Sequence, residues 1–235
     1  MRRQTSTRRL TTALRWPVGV SLTSWRYLWR TTPLYRHETA GSWEEDAPPP
    51  FPSDVDREDV QWPSDGSGPH FHRRYSVRIA GSRLSAEELA GRVMEDPDRA
   101  APSEFATFQK LRGEPGRLCV NDEFVVRMPG PWDGPVRVAG VSASSFRLVT
   151  LVGHLEAGQI EFRARAGDPL EFEIESWARS GDRLSELLYD RLRLSKEVQF
   201  HMWTSFLERV VKIAGGRRTG GLRIETRKVN EVPAG

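Results

Sequence analysis

The sequence predicts an α+β fold: an antiparallel sheet of about six or seven strands wrapped around a long C-terminal helix. Three features carry that expectation. Between residues 70 and 180, short stretches of alternating apolar and polar residues recur, separated by Gly, Pro, Asp, Asn and Ser clusters. The last two of these stretches match each other in both charge and hydropathy. A long amphipathic helical pattern follows them, "GDRLSELLYDRLRLSKEVQFHMWTSFLERVVKIAGG".

The first 37 residues stand apart. They carry Arg2, Arg3, Arg8, Arg9, Arg15, Arg26, Arg30 and Arg36 without one Asp or Glu. Of 35 basic and 32 acidic residues, 27 basic and 32 acidic therefore lie beyond His37, so the body is mildly acidic and no specific nucleic-acid partner is expected. In "WPVGVSLTSWRYLWR" the apolar run is broken by Pro17, Gly19 and Arg26 and is too short and polar to span a bilayer. Trp25, Arg26, Trp29 and Arg30 have the composition of an interfacial anchor, so peripheral membrane contact is one reading of segment 1–37, and packing onto the body is the other. Cys119 is the only cysteine, which rules out an internal disulfide, a zinc ribbon or a CxxC site and suits a reducing, cytoplasmic setting.

Segment 38–69, rich in Pro, Asp, Glu and Ser, reads as a linker or wrapping arm. Its Trp43, Phe51 and Trp62 place parts of it on a folded surface. The core domain is expected over 70–216. "HFHRRYSVRIA" alternates Phe71, Tyr75, Val77 and Ile79 with polar neighbours, as a half-buried strand does. "LSAEELAGRVME" opens a helix with a Ser85/Glu88 capping box and a Leu84/Leu89 staple, and Pro97 stops it. A second short helix is expected in "SEFATFQKL". Strands are then expected at "RLCV", "EFVVRM", "VRVAGV", "FRLVTLV", "QIEFRARA" and "LEFEIESWAR". With Gly167, Asp168 and Pro169 as loop, Arg165 falls opposite Glu171, Arg163 opposite Glu173, Phe162 opposite Ile174 and Ala164 opposite Phe172. The long helix is capped by Asp182 and stopped by Gly215 and Gly216, and residues 217–235 read as a C-terminal tail.

Candidate chemistry is sparse. "GHLEAG" is the turn into "QIEFRARA", with Gly153 and Gly158 suited to tight backbone and His154 and Glu156 spaced for an acid/base pair. His201 on the long helix is a further candidate. No nucleophile, metal cluster or phosphate loop accompanies them. His70 and His72 share one strand face and could join His154 or His201 at a metal, but nothing in the sequence gathers the four, so neither metal nor cofactor is expected. Trp132, in the Pro/Gly loop "RMPGPWDGPVR", could lid a cavity or cap a sheet edge. Phe162, Phe172 and Ile174 from the sheet, with Trp203 and Phe206 from the helix, would line the space between them.

This element order is that of the helix-grip fold, START/Bet v 1-like, which leaves an apolar cavity between sheet and helix. In "TLVGHLEAGQIEF", "FEIESWARSGDR" and "KEVQFHMWTSFLERV" the chain also resembles uncharacterised protein family 0548, a domain of unknown function in bacteria and plants, over about residues 70–216. That resemblance implies a relative and no established activity. Two functions follow: a non-catalytic module holding a small apolar or amphipathic molecule, or an enzyme of the cyclase or hydratase kind using His154 or His201 with Glu156.

Overall fold

In the computed structural model the described residues are 34–103, 106–127, 133–181 and 194–230. Their strands are β1 (Leu34–Ala40), β2 (Ser67–Ala80), β3 (Thr107–Arg112), β4 (Glu123–Arg127), β5 (Asp133–Val141), β6 (Ser145–Thr150), β7 (Glu156–Arg165), β8 (Leu170–Ser180) and β9 (Arg217–Val229). The helices are α1 (Trp43–Asp46), α2 (Ala86–Glu95) and α3 (Leu194–Ala214). The strands form one nine-stranded sheet in the order β1-β9-β2-β8-β7-β6-β5-β4-β3. All neighbours are antiparallel except β1 and β9.

The alternation read from the sequence sets the two faces. Tyr75, Val77 and Ile79 of β2, Phe162 and Ala164 of β7, Phe172 and Ile174 of β8 and Leu222 and Ile224 of β9 are buried in one core. That core also takes Phe124 from β4, Val138 from β5, Leu89 and Val93 from α2, and Phe206, Leu207 and Val210 from α3. A flat sheet of nine strands would be roughly 38 Å wide, whereas a helix with its side chains covers about 10 Å. A single core reaching from β4 to β9 therefore requires the sheet to curl around the helices. The capping box holds α2 as expected: Ser85 Oγ accepts from Glu88 N at 3.1 Å, and Ser85 N donates to Glu88 Oε2 at 2.7 Å. The β7–β8 hairpin has the expected register, Arg165 with Glu171, Arg163 with Glu173, Ala164 with Phe172 and Phe162 with Ile174.

Several boundaries differ from expectation, each for a tertiary reason. The strand count is nine rather than six or seven because both flanking segments are recruited. Residues 217–229, expected within a tail, form β9, whose alternating Leu222, Ile224 and Thr226 are buried between β2 and β1. Residues 34–37 are not part of a separate N-terminal segment but begin β1, the strand beside β9. "TFQKLR" is strand β3 and not a helix: it pairs with β4, and Phe108 N donates to Asp98 Oδ1 at 2.6 Å. "RLCV" is a loop, tied by Cys119 N to Asp122 Oδ2 at 2.9 Å. Asp182 and Trp132 lie outside the described residues, as do Trp25, Arg26, Trp29 and Arg30.

Segment 41–66 lies across the outer face of the sheet. Phe51, Val55, Val60 and Trp62 pack with Ala139, Val149 and Leu151 in a second, smaller core. Phe51 and Trp62 meet with ring centroids 4.9 Å apart. Arg137, on the outer side of β5, donates to the carbonyls of Asp56 and Glu58 at 2.9 and 2.7 Å, which fastens the irregular segment to the sheet.

Candidate functional site

Helix α3 lies over the inner face of the sheet, and its facing stripe runs Gln199, Trp203, Phe206 and Val210, at the i, i+4, i+7 spacing of one helix side. Phe162 is the centre of the aromatic part of this interior. It stacks on Phe146 at 4.6 Å, meets Trp203 edge-on at 5.6 Å and lies 5.3 Å from Phe206. Phe172 is 6.4 Å from Phe206. Thus the structure brings together Phe162, Phe172, Ile174, Trp203 and Phe206, and it does so by packing them in one core.

Toward the N-terminal end of the described helix the interior turns polar. Arg73 stands on the inner face of β2, between Phe71 and Tyr75, and is only 2% exposed. Its guanidinium carbon lies 4.4 Å from the Phe71 ring centroid, and its Nη1 donates to Gln199 Oε1 at 3.2 Å. The amide of Gln199 turns its other end to Glu156, with Nε2 donating to Oε1 at 2.8 Å. Arg73, Gln199 and Glu156 therefore form a chain of charge and amide that crosses from β2 through α3 to β7. Beside it, Arg36 of β1 lies 4.6 Å from the ring of Phe200, which is 6.0 Å from Tyr75. A buried guanidinium is tolerated only with such specific partners, because its desolvation is costly.

The "GHLEAG" turn ends at this polar side. His154 Nδ1 faces the main chain of Glu156, 2.9 Å from its N–H and 3.1 Å from its carbonyl oxygen. Burial pushes the His154 pKa down, against the opposing pull of Glu156. The Glu156 carboxylate is engaged with Gln199, so the hydrogen bond between the two candidate residues runs through the main chain. Gln61 of the outer segment clamps the turn, its Nε2 donating to the carbonyls of His154 and Glu156 at 3.1 Å each and its Oε1 accepting from Gly153 N at 3.1 Å. Gly158 lies inside β7, not in the turn. A Cβ there would come within 2.0 Å of Trp177 O, so the close approach of β8 excludes any side chain. His201 is buried on α3 but sits about 200° around the helix from Gln199, away from the Gln199–Glu156 contact.

His70 and His72 point to the outer face, apart from His154 and His201. Among the described residues no group of three or more His, Cys, Asp or Glu is arranged to hold a metal. No described helix is long and apolar enough to cross a membrane.

Arg73, Gln199 and Gln61 escape a reading of apolar periodicity. One signal for Arg73 is present in "HFHRRYSVRIA": it occupies the same strand phase as Phe71, Tyr75, Val77 and Ile79, where an arginine has to be buried. Gln199 and Gln61 carry no such mark, since their partners come from distant segments.

The fold and site define an α+β protein in which a mostly antiparallel sheet curls around a helix from the C-terminal half of the chain. No family model and no curated protein matches the chain. Among solved structures it is similar to a hypothetical protein from Helicobacter pylori, with TM-score 0.43 and 8% identity, covering 70% of this chain and 95% of that one. It is also similar to norcoclaurine synthase from Thalictrum flavum in complex with dopamine and hydroxybenzaldehyde, with TM-score 0.42 and 10% identity, over 71% of this chain and 98% of that one. A third likeness is to major latex-like protein 151 from Panax ginseng, with TM-score 0.39 and 12% identity, over 57% of this chain and 99% of that one.

Proposed function

We propose that this chain is a helix-grip binding module, related to uncharacterised protein family 0548, that holds a small amphipathic molecule between the sheet and α3 without transforming it. The observation that supports this reading is the polarity gradient along the interior. On β2 the inward residues run from Arg73 through Tyr75 to Val77 and Ile79, and on β7 they run from Glu156 to Ile160, Phe162 and Ala164. The facing stripe of α3 changes in the same direction, from Gln199 to Trp203, Phe206 and Val210. A molecule with one polar end and one apolar end is complementary to that gradient, whereas a purely apolar one would remove water from the half-buried Glu156 and offer it no hydrogen bond in return.

The test is a native mass spectrum of protein purified without detergent, paired with uptake of an environment-sensitive apolar dye. A co-purifying molecule, or dye uptake that falls in Trp203→Ala, supports the module. Chemical conversion of a retained molecule over time would replace it with the enzymatic reading. Absence of both a co-purifying molecule and dye uptake by the folded parent would overturn the proposal in favour of a filled core.

A further inference from the structure

The outer face carries a contact that the interior does not use. His72 of β2 lies between two carboxylates: its Nδ1 is 2.8 Å from Asp46 Oδ1 on α1, and its Nε2 is 2.8 Å from Glu175 Oε1 on β8. The ring is stacked on Trp177, with centroids 5.2 Å apart and planes 15° from parallel, so it cannot turn away without losing that face. A carboxylate oxygen only accepts, and a neutral imidazole has one N–H. Two oxygens at hydrogen-bond distance on the two ring nitrogens are therefore both satisfied only by the imidazolium. In the neutral ring, one nitrogen lone pair would face a carboxylate lone pair.

We infer that His72 is a protonation-dependent clamp that fastens the strap of residues 41–47 to the outer face of the sheet and lets it loosen when the ring loses its proton. The groups facing the ring support this assignment. From the strap comes Asp46, which is fully buried, and from β8 comes Glu175, while the exposed Glu45 pairs with Arg227. Arg227 of β9, opposite His72 in register, holds Asp46 Oδ1 through Nε at 3.1 Å. From its own strand, Arg74 donates to Glu175 Oε1 at 2.7 Å. His70 donates from Nε2 to the Asp46 carbonyl at 3.1 Å, which fixes the tautomer and leaves its buried Nδ1 without a hydrogen-bond partner among the described residues. Burial favours the neutral ring at His72, but the hydrogen bonds and charges of Glu175 and Asp46 outweigh it and raise the pKa above the ordinary 6.5. At His70 burial prevails over the bond to Asp46 and lowers the pKa to about 4.

The sign follows from these directions. His72 stabilises the closed strap fully below pH 6.5, and that contribution is lost as pH rises from there through its raised folded-state pKa. His70 acts oppositely: its contribution is present above pH 6.5 and is lost as pH falls toward about 4. The strap is thus held best between the two histidine transitions. Its loosening would be felt in β1, because Gly41 N donates to Lys228 O at 2.9 Å where β1 leaves the sheet, and β1 carries Arg36 over Phe200.

The experiment is an NMR titration of the full chain from pH 5 to 9, reading the His72 ring nitrogens and amide exchange of Gly41, Asp46 and Ala47 corrected for intrinsic rates. The expected result is a doubly protonated His72 ring at pH 7 and at least tenfold faster exchange of these amides once it is neutral. In His72→Gln the exchange should be fast at the lowest pH and show no step. A singly protonated ring at pH 7 in the parent, or strap exchange that ignores the His72 titration, would overturn the proposal. Should His72→Gln fail to fold, the parent titration decides alone, and Asp46→Asn should lower the His72 pKa.

Discussion

Adjacent residues on β2 meet opposite conditions. Arg73 points inward and is held through Gln199, whereas Arg74 points outward and reaches Glu173 at 3.2 Å and Glu175 at 2.7 Å while remaining 40% exposed. On the outer face, Arg163 and Arg165 join the same carboxylates, with Arg165 Nη2 at 2.7 Å from Glu173 Oε1. Outward carboxylates share several partners, Glu173 meeting Arg74, Arg163 and Arg165, and Glu175 meeting His72, Arg74 and Arg163. Inward charge has a specific partner, supplied by a helix far away in sequence. The difference shows that hydropathic alternation sets which side a residue faces but not what a polar residue will find there.

The largest break in this comparison should come from the inner face. Phe162→Ala, at the centre of the aromatic packing, is expected to cost ~3–5 kcal/mol in a urea titration, because transfer energy is lost and a cavity is left. A cost below 1 kcal/mol would mean that the packing is loose and that an existing space absorbs the change. Glu175 is the outer face's most consequential group. Burial works to raise its pKa, but hydrogen bonds and charge from His72 and Arg74 lower it to about 2 from the usual 4.5. Its contribution, at most about 3 kcal/mol, is present above pH 4.5 and lost progressively as pH falls to about 2. Glu175→Gln should flatten that part of the stability–pH curve.

Gly158→Val should cost ~1–3 kcal/mol or more through overpacking against β8, while His154→Ala should cost about 1 kcal/mol for one lost hydrogen bond to the Glu156 amide. The reverse ranking in denaturant would give His154 a larger role than its turn contact implies. Smallest of all, Glu45→Gln should change stability by only a few tenths of a kcal/mol, because its pair with Arg227 is mostly solvent-exposed. A larger loss would mean that the strap depends on Glu45 as well as on Asp46.

Legibility followed the same divide. The β7–β8 register was readable because Arg163 and Arg165 lie opposite glutamates on one face while Phe162 and Ala164 meet apolar partners on the other. The α2 cap was readable because Ser85 and Glu88 are local. The role of β9 was not: its "RRTGGLRIETRKV" alternates weakly, with arginines and glycines among Leu222 and Ile224, and only the open edges of β1 and β2 make it a strand. The polar end of the interior was half legible. The spacing of Glu156 points to His154, but its side-chain partner, Gln199, comes from α3, and the partner of Arg73 is likewise set by the helix and not by the alternation of β2.

The position of β9 also bears on the order of folding. Strands β3 to β8 are neighbours in both chain and sheet and can pair as they emerge during synthesis, but β9 must join β2, which lies more than a hundred residues earlier in the chain, and then receive β1 in parallel. Such long-range pairings are slow to form because a large loop must close before they are rewarded. Until the last strand arrives, the apolar edge of β2 is an open template for another chain, and the nascent protein is at its greatest risk of aggregation.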